Sequence, residues 1–223
     1  MATEVRLHEN WAQVQLTGAT HWDAVQSQLQ KLRDDGQARA VLLSLERGST
    51  IEAWPAEASD WLALHYPIPV VVSLVGSVTG SAARLAMAAD IRIGVEAMTF
   101  DARGMGRGPG RARTAVLLAH VRDRRWALRN LTATEALEFG LVSRIVPESA
   151  LAAAAAGVAE VIASRGPIAT KLAKEAVWRG LQMPLEQALR FETDLTLLLQ
   201  TTKDRAEGVE AFLEKRDSYF TGK

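Results

Sequence analysis

Small residues between an apolar run and a helix-forming run carry the strongest chemical signal in this chain. Val70 to Val75 reads as a buried strand, Gly76 to Ser81 as a turn, and Leu85 to Ala89 as helix. A strand–turn–helix passage leaves N–H groups at the helix start without intrahelical acceptors. Such groups can hold a phosphate or an oxyanion that develops during a reaction. Close helix–sheet packing accounts for small residues in a turn equally well. Beyond the turn Arg84 opens the helix. Candidate side chains that could move a proton are few: Glu52, Asp60 and His65 in the loop before this strand, Asp101 after it, and His120 amid arginines. The sequence contains no cysteine. Disulfides and thiolate metal sites are therefore excluded, and no metal site is predicted.

The elements that must position these residues follow from periodicity. Val5 to Leu7 and Ala12 to Leu16 alternate as a strand pair. Trp22, Val25, Leu29 and Leu32 recur at helical spacing, which predicts an amphipathic helix from His21 to Asp35 with Gly36 as its stop. Strands are predicted at Ala40–Leu45, Val70–Val75, Ile91–Ile93 and Met98–Phe100, with a short helix at Asp60–His65. Alternation of strand and helix at this tempo argues for an α/β core. From Thr132 the pattern changes: Thr132 and Glu135 form a capping box and Gly140 is a C-terminal stop. Helices then run from Ser149 to Ser164, from Pro167, and from Pro184 to Gln200. A last one is capped by Asp204 and Glu207, with Val209, Phe212 and Leu213 on one face.

The 223 residues suit one domain, and a 48% hydrophobic content suffices for a large core. Lys+Arg and Asp+Glu are both 26, so overall charge points neither to nucleic acid nor to a membrane surface. Charge is uneven, however: eight arginines lie between Arg103 and Arg129, with Asp123 the only acid there. A solvated face explains most of them, and one or two could meet an anionic ligand. No apolar stretch nears the ~20 residues of a membrane span. The start, MATEVRLHENW, lacks a basic segment followed by an apolar run, so a cytoplasmic protein is expected.

Gly76, Gly80, Arg84-Leu-Ala-Met, Ala89-Asp90-Ile91-Arg92-Ile93 and Phe100 follow the order of the crotonase (enoyl-CoA hydratase/isomerase) superfamily core, which the chain resembles. Pro109-Gly110, Thr114, Leu131-Thr132, Glu135-Ala136, Gly140-Leu141-Val142 and Val146-Pro147 continue the resemblance. Asp204, Glu207-Gly208, the run Ala211 to Arg216, and Phe220 look like that family's C-terminal helix. The resemblance implies a crotonase-like spiral of ββα units over residues 1–147. A helical region, 148–223, would pack neighbouring subunits into a homotrimer or a dimer of trimers.

It also implies a site. Family members polarise a coenzyme A thioester carbonyl with two backbone N–H groups, CoA entering as part of the substrate with no permanently bound cofactor. By position the second donor is Ser81, through its backbone and not its side chain. The first falls at Ile51 or Glu52, in a loop that departs from the family pattern. The family's two glutamates, which place a water and move a proton, would fall at Arg84 and near Gly104. Neither is acidic, and arginine cannot act as a base at neutral pH. Asp101 is the preferred acid/base candidate, its alternative role being to cap the turn after Phe100. Arg84 could grip a substrate carboxylate bidentately, as a decarboxylase would need, or be consumed by Asp101 or Glu52. Phe212 and Lys215 occupy the positions that meet the nucleotide end of CoA, and Phe212 suits core packing equally. The expected function is that of an acyl-CoA enzyme, lyase or isomerase. A non-catalytic acyl-CoA-binding scaffold is the alternative. A nucleic-acid binder ranks last, since the net charge is zero and Trp126 is the one aromatic among those arginines.

Overall fold

A computed structural model describes residues 3–55, 57–101 and 130–223. The chain builds pairs of strands, each followed by a helix. An antiparallel hairpin of β1 (Thr3–Leu7) and β2 (Trp11–Leu16) leads into β3 (Ala19–His21) and α1 (Trp22–Asp35). Next come β4 (Ala40–Leu45), β5 (Thr50–Glu52) and a short α2 (Ala58–Asp60) that widens into a π-turn at Trp61–His65. Then follow β6 (Val70–Leu74), β7 (Ser77–Val78) and α3 (Gly80–Ala88), and after them β8 (Ile91–Val95) and β9 (Thr99–Asp101). Beyond residue 129 lie β10 (Asn130–Thr132), α4 (Ala133–Glu138), β11 (Arg144–Val146) and four longer helices. These are α5 (Leu151–Ala163), α6 (Pro167–Gly180), α7 (Leu185–Gln200) and α8 (Lys203–Glu214).

Each repeat sends its first strand to one sheet and its second to another. The six-stranded sheet has the order β1-β2-β4-β6-β8-β11, and its pairs are parallel from β2 onward. The second strands form smaller sheets, β3 with β5, and β7-β9-β10. This is the expected spiral of ββα units. Central strands β4 and β6 are apolar almost throughout and buried, as parallel strands covered on both faces must be. Helix α1 buries Trp22, Val25, Leu29 and Leu32, one stripe at i, i+3, i+7 and i+10, and Gly36 ends it at φ 66°. Helix α5 buries Leu151, Ala155, Ala159 and Ala163, so small side chains let it lie close against β4, β6 and β8.

The last three helices behave differently. Few of their residues are buried, while Leu185, Leu189, Leu197 and Leu198 are exposed. One capping expectation is corrected. Thr202, not Asp204, caps α8, its hydroxyl accepting from the Arg205 N–H. Asp204 is buried and instead accepts from Thr221 N–H at 2.7 Å and Gly222 N–H at 2.9 Å, fastening the tail. Among the described residues no single helix is long and apolar enough to cross a membrane.

Candidate functional site at the carboxyl end of the sheet

The chain leaves β6 through Gly76 and enters α3 through Gly80, both in the left-handed region, at φ 66° and 54°. A side chain at Gly76 would also strike Arg47, whose Cγ would lie 3.0 Å from an added Cβ. Thr79 makes no side-chain cap to α3, so the first-turn N–H groups are left to other acceptors. Helix α3 packs against β5 and β9, which brings Ser81 and Arg84 beside the strands that carry Ile51 and Asp101. The closest link is a hydrogen bond. Ile51 N–H donates to Ser81 Oγ at 3.1 Å, in a part-buried setting. The two residues expected to supply donors are therefore neighbours in space, although they are thirty apart in sequence.

Ile51 is held by the parallel pairing of β5 with β3 and is 4% exposed. After it the backbone turns at Ala53, whose φ is 52°. An aromatic group pins the loop that follows: Trp22 meets Trp54 at 4.7 Å and Trp61 at 6.0 Å, and Trp61 meets Tyr66 at 5.3 Å. Burial pushes the Tyr66 hydroxyl pKa up, so this phenol stays neutral.

Arg84 is only 8% exposed, and loss of solvent lowers its pKa from the ordinary value. Arg84 and Asp101 both engage in polar or electrostatic interactions. Asp101 ends β9 opposite Asn130 of β10. Glu52 and His65 are exposed and Asp60 is half-buried. Gly104, His120 and the arginine-rich segment lie outside the described residues. Among the described residues no group of three or more His, Cys, Asp or Glu could hold a metal ion. Phe212 is 81% exposed, which removes core packing as its role within the chain. Lys215 ends α8 at φ 55°.

A second polar cluster, unforeseen from the sequence, sits at the other end of β6. Asp90 accepts from Val70 N–H at 2.7 Å, Lys174 Nζ at 2.9 Å and Trp178 Nε1 at 2.9 Å. Lys174 also donates to the carbonyls of Leu62 and Ile68. A cavity of about 510 Å³ adjoins this cluster, walled by Met87, Ile91, Ile162, Val177 and Leu181. The only sequence signal for it was Asp90 within its apolar run; nothing marked Lys174 or Trp178 as its partners.

The family model described as enoyl-CoA hydratase/isomerase matches residues 45–223. A short-chain-enoyl-CoA hydratase of Clostridium acetobutylicum is 34% identical over 155 residues, 66% of this chain and 59% of that protein. YngF of Bacillus subtilis is 31% identical over 199 residues, covering 86% of this chain and 72% of that one. An (E)-benzylidenesuccinyl-CoA hydratase of Thauera aromatica is 33% identical over 162 residues, 69% of this chain and 63% of that protein. Against several of these relatives the matched part spans less than two thirds of their length. The crystal structure of an enoyl-CoA hydratase/isomerase from Mycobacterium paratuberculosis superposes with a TM-score of 0.88 at 21% identity. It covers 99% of this chain and 98% of that one, and so shares the fold. An enoyl-CoA hydratase from Bacillus anthracis gives 0.82 at 26% identity, with 99% of both chains covered.

Proposed function

The chain belongs to the enoyl-CoA hydratase/isomerase family, and we propose that it binds acyl-CoA thioesters and stabilises a negatively charged thioester oxygen with the N–H groups of Ile51 and Ser81. The observation that carries this reading is the 3.1 Å contact between these two residues at the carboxyl end of the sheet. Backbone donors held by strand and helix can meet charge as it develops on a bound oxygen. No cofactor enters the reading, since CoA arrives with the substrate.

The acid/base half of a hydratase is the part that does not carry over. A buried guanidinium at Arg84 stands where the family pattern puts the first glutamate. A general base contributes ~10²–10⁴-fold, so hydration should be slow. Decarboxylation fits a cationic site better. The bond from the α-carbon to the carboxylate breaks, carbon dioxide leaves, and the electron pair moves onto the thioester oxygen. The resulting enolate then takes a proton at the α-carbon. Arg84 would hold the carboxylate, and Asp101 is the candidate proton carrier.

Purified protein would be assayed with crotonyl-CoA and malonyl-CoA. The expected result is crotonyl-CoA hydration at least ~10²-fold below that of an efficient hydratase, with carbon dioxide released from malonyl-CoA. Fast crotonyl-CoA hydration would sink the assignment and point to Glu52, Asp60 or Asp101 as an overlooked base. The exposed leucines of α7 further support a homotrimer or a dimer of trimers, since an apolar helical face is stable when covered. A monomeric mass by light scattering at micromolar concentration would refute that.

A further inference from the structure

The Ser81 hydroxyl already accepts from the Ile51 N–H that a thioester oxygen would need. For two N–H groups to stabilise an oxygen, that oxygen must lie about 2.7–3.1 Å from both. Ser81 Oγ is 3.1 Å from Ile51 N and belongs to the residue that supplies the other N–H. Ile51 itself is buried, so its N–H has little access to water when this contact breaks. An unmatched buried donor is unfavourable, and the Ser81 hydroxyl satisfies it. One torsion, χ1, moves that oxygen away to another staggered position and leaves the Ser81 backbone where it is. Ser81 is half-buried at the start of α3, not locked inside the core.

We propose that the Ser81 side chain is a built-in stand-in for the acyl oxygen, one that every acyl-CoA must displace from Ile51. The inference rests on the assignment of Ile51 and Ser81 as the oxygen-binding pair. It concerns affinity and selectivity. A neutral thioester oxygen competes with a neutral hydroxyl for one donor, so the hydroxyl weakens ground-state binding. A charged oxygen makes a stronger hydrogen bond than a neutral one. The enolate therefore displaces the hydroxyl more completely than the substrate does, which shifts binding from ground state toward the charged intermediate. Free CoA has no acyl oxygen and does not compete.

Calorimetry with crotonyl-CoA and free CoA, on wild type, Ser81→Ala and Ser81→Gly, tests this. Both variants keep the backbone N–H, and circular dichroism would confirm their folding. Two variants guard against one of them disturbing α3. Crotonyl-CoA is expected to bind about three- to tenfold more tightly to both, the worth of one net hydrogen bond, with free CoA affinity unchanged. The Ile51 amide resonance of the free protein should move on Ser81→Ala, and in wild type on addition of crotonyl-CoA. Unchanged or weaker crotonyl-CoA binding by both variants would overturn the proposal, the weaker result making the hydroxyl an additional donor. If neither wild type nor variants distinguish crotonyl-CoA from CoA, and the Ile51 amide ignores both ligands, the oxygen-binding pair itself is wrong. The inference then falls with it.

Discussion

The two ends of β6 treat polar groups in opposite ways. At its start, Val70 joins a cluster in which Asp90, Lys174 and Trp178 use one another's hydrogen-bonding capacity. Past its finish, Gly76 and Gly80 bend the chain into α3, and the N–H of buried Ile51 donates to the Ser81 hydroxyl at the start of that helix. The first arrangement is closed and the second can exchange its acceptor. Open parallel sheets bind ligands beyond the carboxyl ends of their strands, and the partners of each polar atom show the same division here. A large cavity does not decide the matter. The one of about 510 Å³ lies at the closed end, beside Asp90, Lys174 and Trp178, which are bonded to one another.

Breaking the closed end should give the largest effect. The Lys174 side chain is 7% exposed and that of Asp90 17% exposed, at 2.9 Å from each other. Removing one partner of a buried pair leaves an uncompensated charge and costs roughly 3–5 kcal/mol. Asp90→Ala is expected to lose about that much in chemical denaturation. Asp90→Ala combined with Lys174→Met should recover a substantial part, because neither charge then remains. A loss below about 1 kcal/mol for the single change would mean that water reaches this pair and that the closed end is not closed. In the double variant α6 would also lose the donation from Lys174 to the carbonyls before β6.

At the open end the same kind of change should act on ligands more than on stability. Arg84→Met keeps the length of the side chain and removes its charge. Hydrogen bonds to charged groups contribute about 1.5–3 kcal/mol. Malonyl-CoA affinity should therefore drop roughly ten- to hundredfold, while crotonyl-CoA affinity changes little. Equal losses for both thioesters would make Arg84 structural and would merge the two ends of the strand into one category. Phe212→Ala sharpens the contrast from outside. An 81% exposed ring contributes little to folding, so stability should move by no more than about 0.5 kcal/mol. CoA affinity should fall several-fold if the ring meets the nucleotide, and an unchanged affinity would remove Phe212 from the binding surface.

Periodic elements were legible in the sequence because burial enforces them. The stripe of Trp22, Val25, Leu29 and Leu32, the runs at β4 and β6, and the capping box at Thr132 and Glu135 all form as read. The glycines at both bends, Gly76 and Gly80, were legible because positive φ selects glycine, but the short strand β7 between them was not. Side-chain partners across long sequence separations were not. Nothing in local spacing joins Lys174 to Asp90, eighty-four residues away. Ser81 was read for its backbone alone, since a hydrogen bond from Ile51 to its hydroxyl depends on how β5 docks on α3. The cap of α8 was misread for a related reason. Asp204 has the right chemistry for a cap, but its carboxylate is taken by Thr221 and Gly222 of the returning tail, and Thr202 supplies the cap.

The smallest expected effect concerns that tail, which is tied at the closed end: Arg39, just before β4, donates to the Phe220 carbonyl at 2.7 Å. Glu207 helps hold it. Its carboxylate accepts from Arg216 at 2.7 and 3.0 Å and from Tyr219 N–H at 2.7 Å. The Arg216 hydrogen bonds first, and the Tyr219 N–H second, lower the Glu207 pKa from 4.5 to about 2. The charged form is the one favoured by folding, so this contribution is complete above pH 4.5 and fades as pH falls toward 2. The site faces solvent, so added salt should shrink the contribution. Amide exchange at Tyr219 would report it locally, without the other carboxylates that titrate in the same range. Glu207→Gln should exchange faster than wild type at neutral pH, and the gap should close as wild type is taken from pH 4.5 down to about 2. A gap that stays constant with pH would show that Glu207 acts through its shape and amide-like contacts and not through its charge.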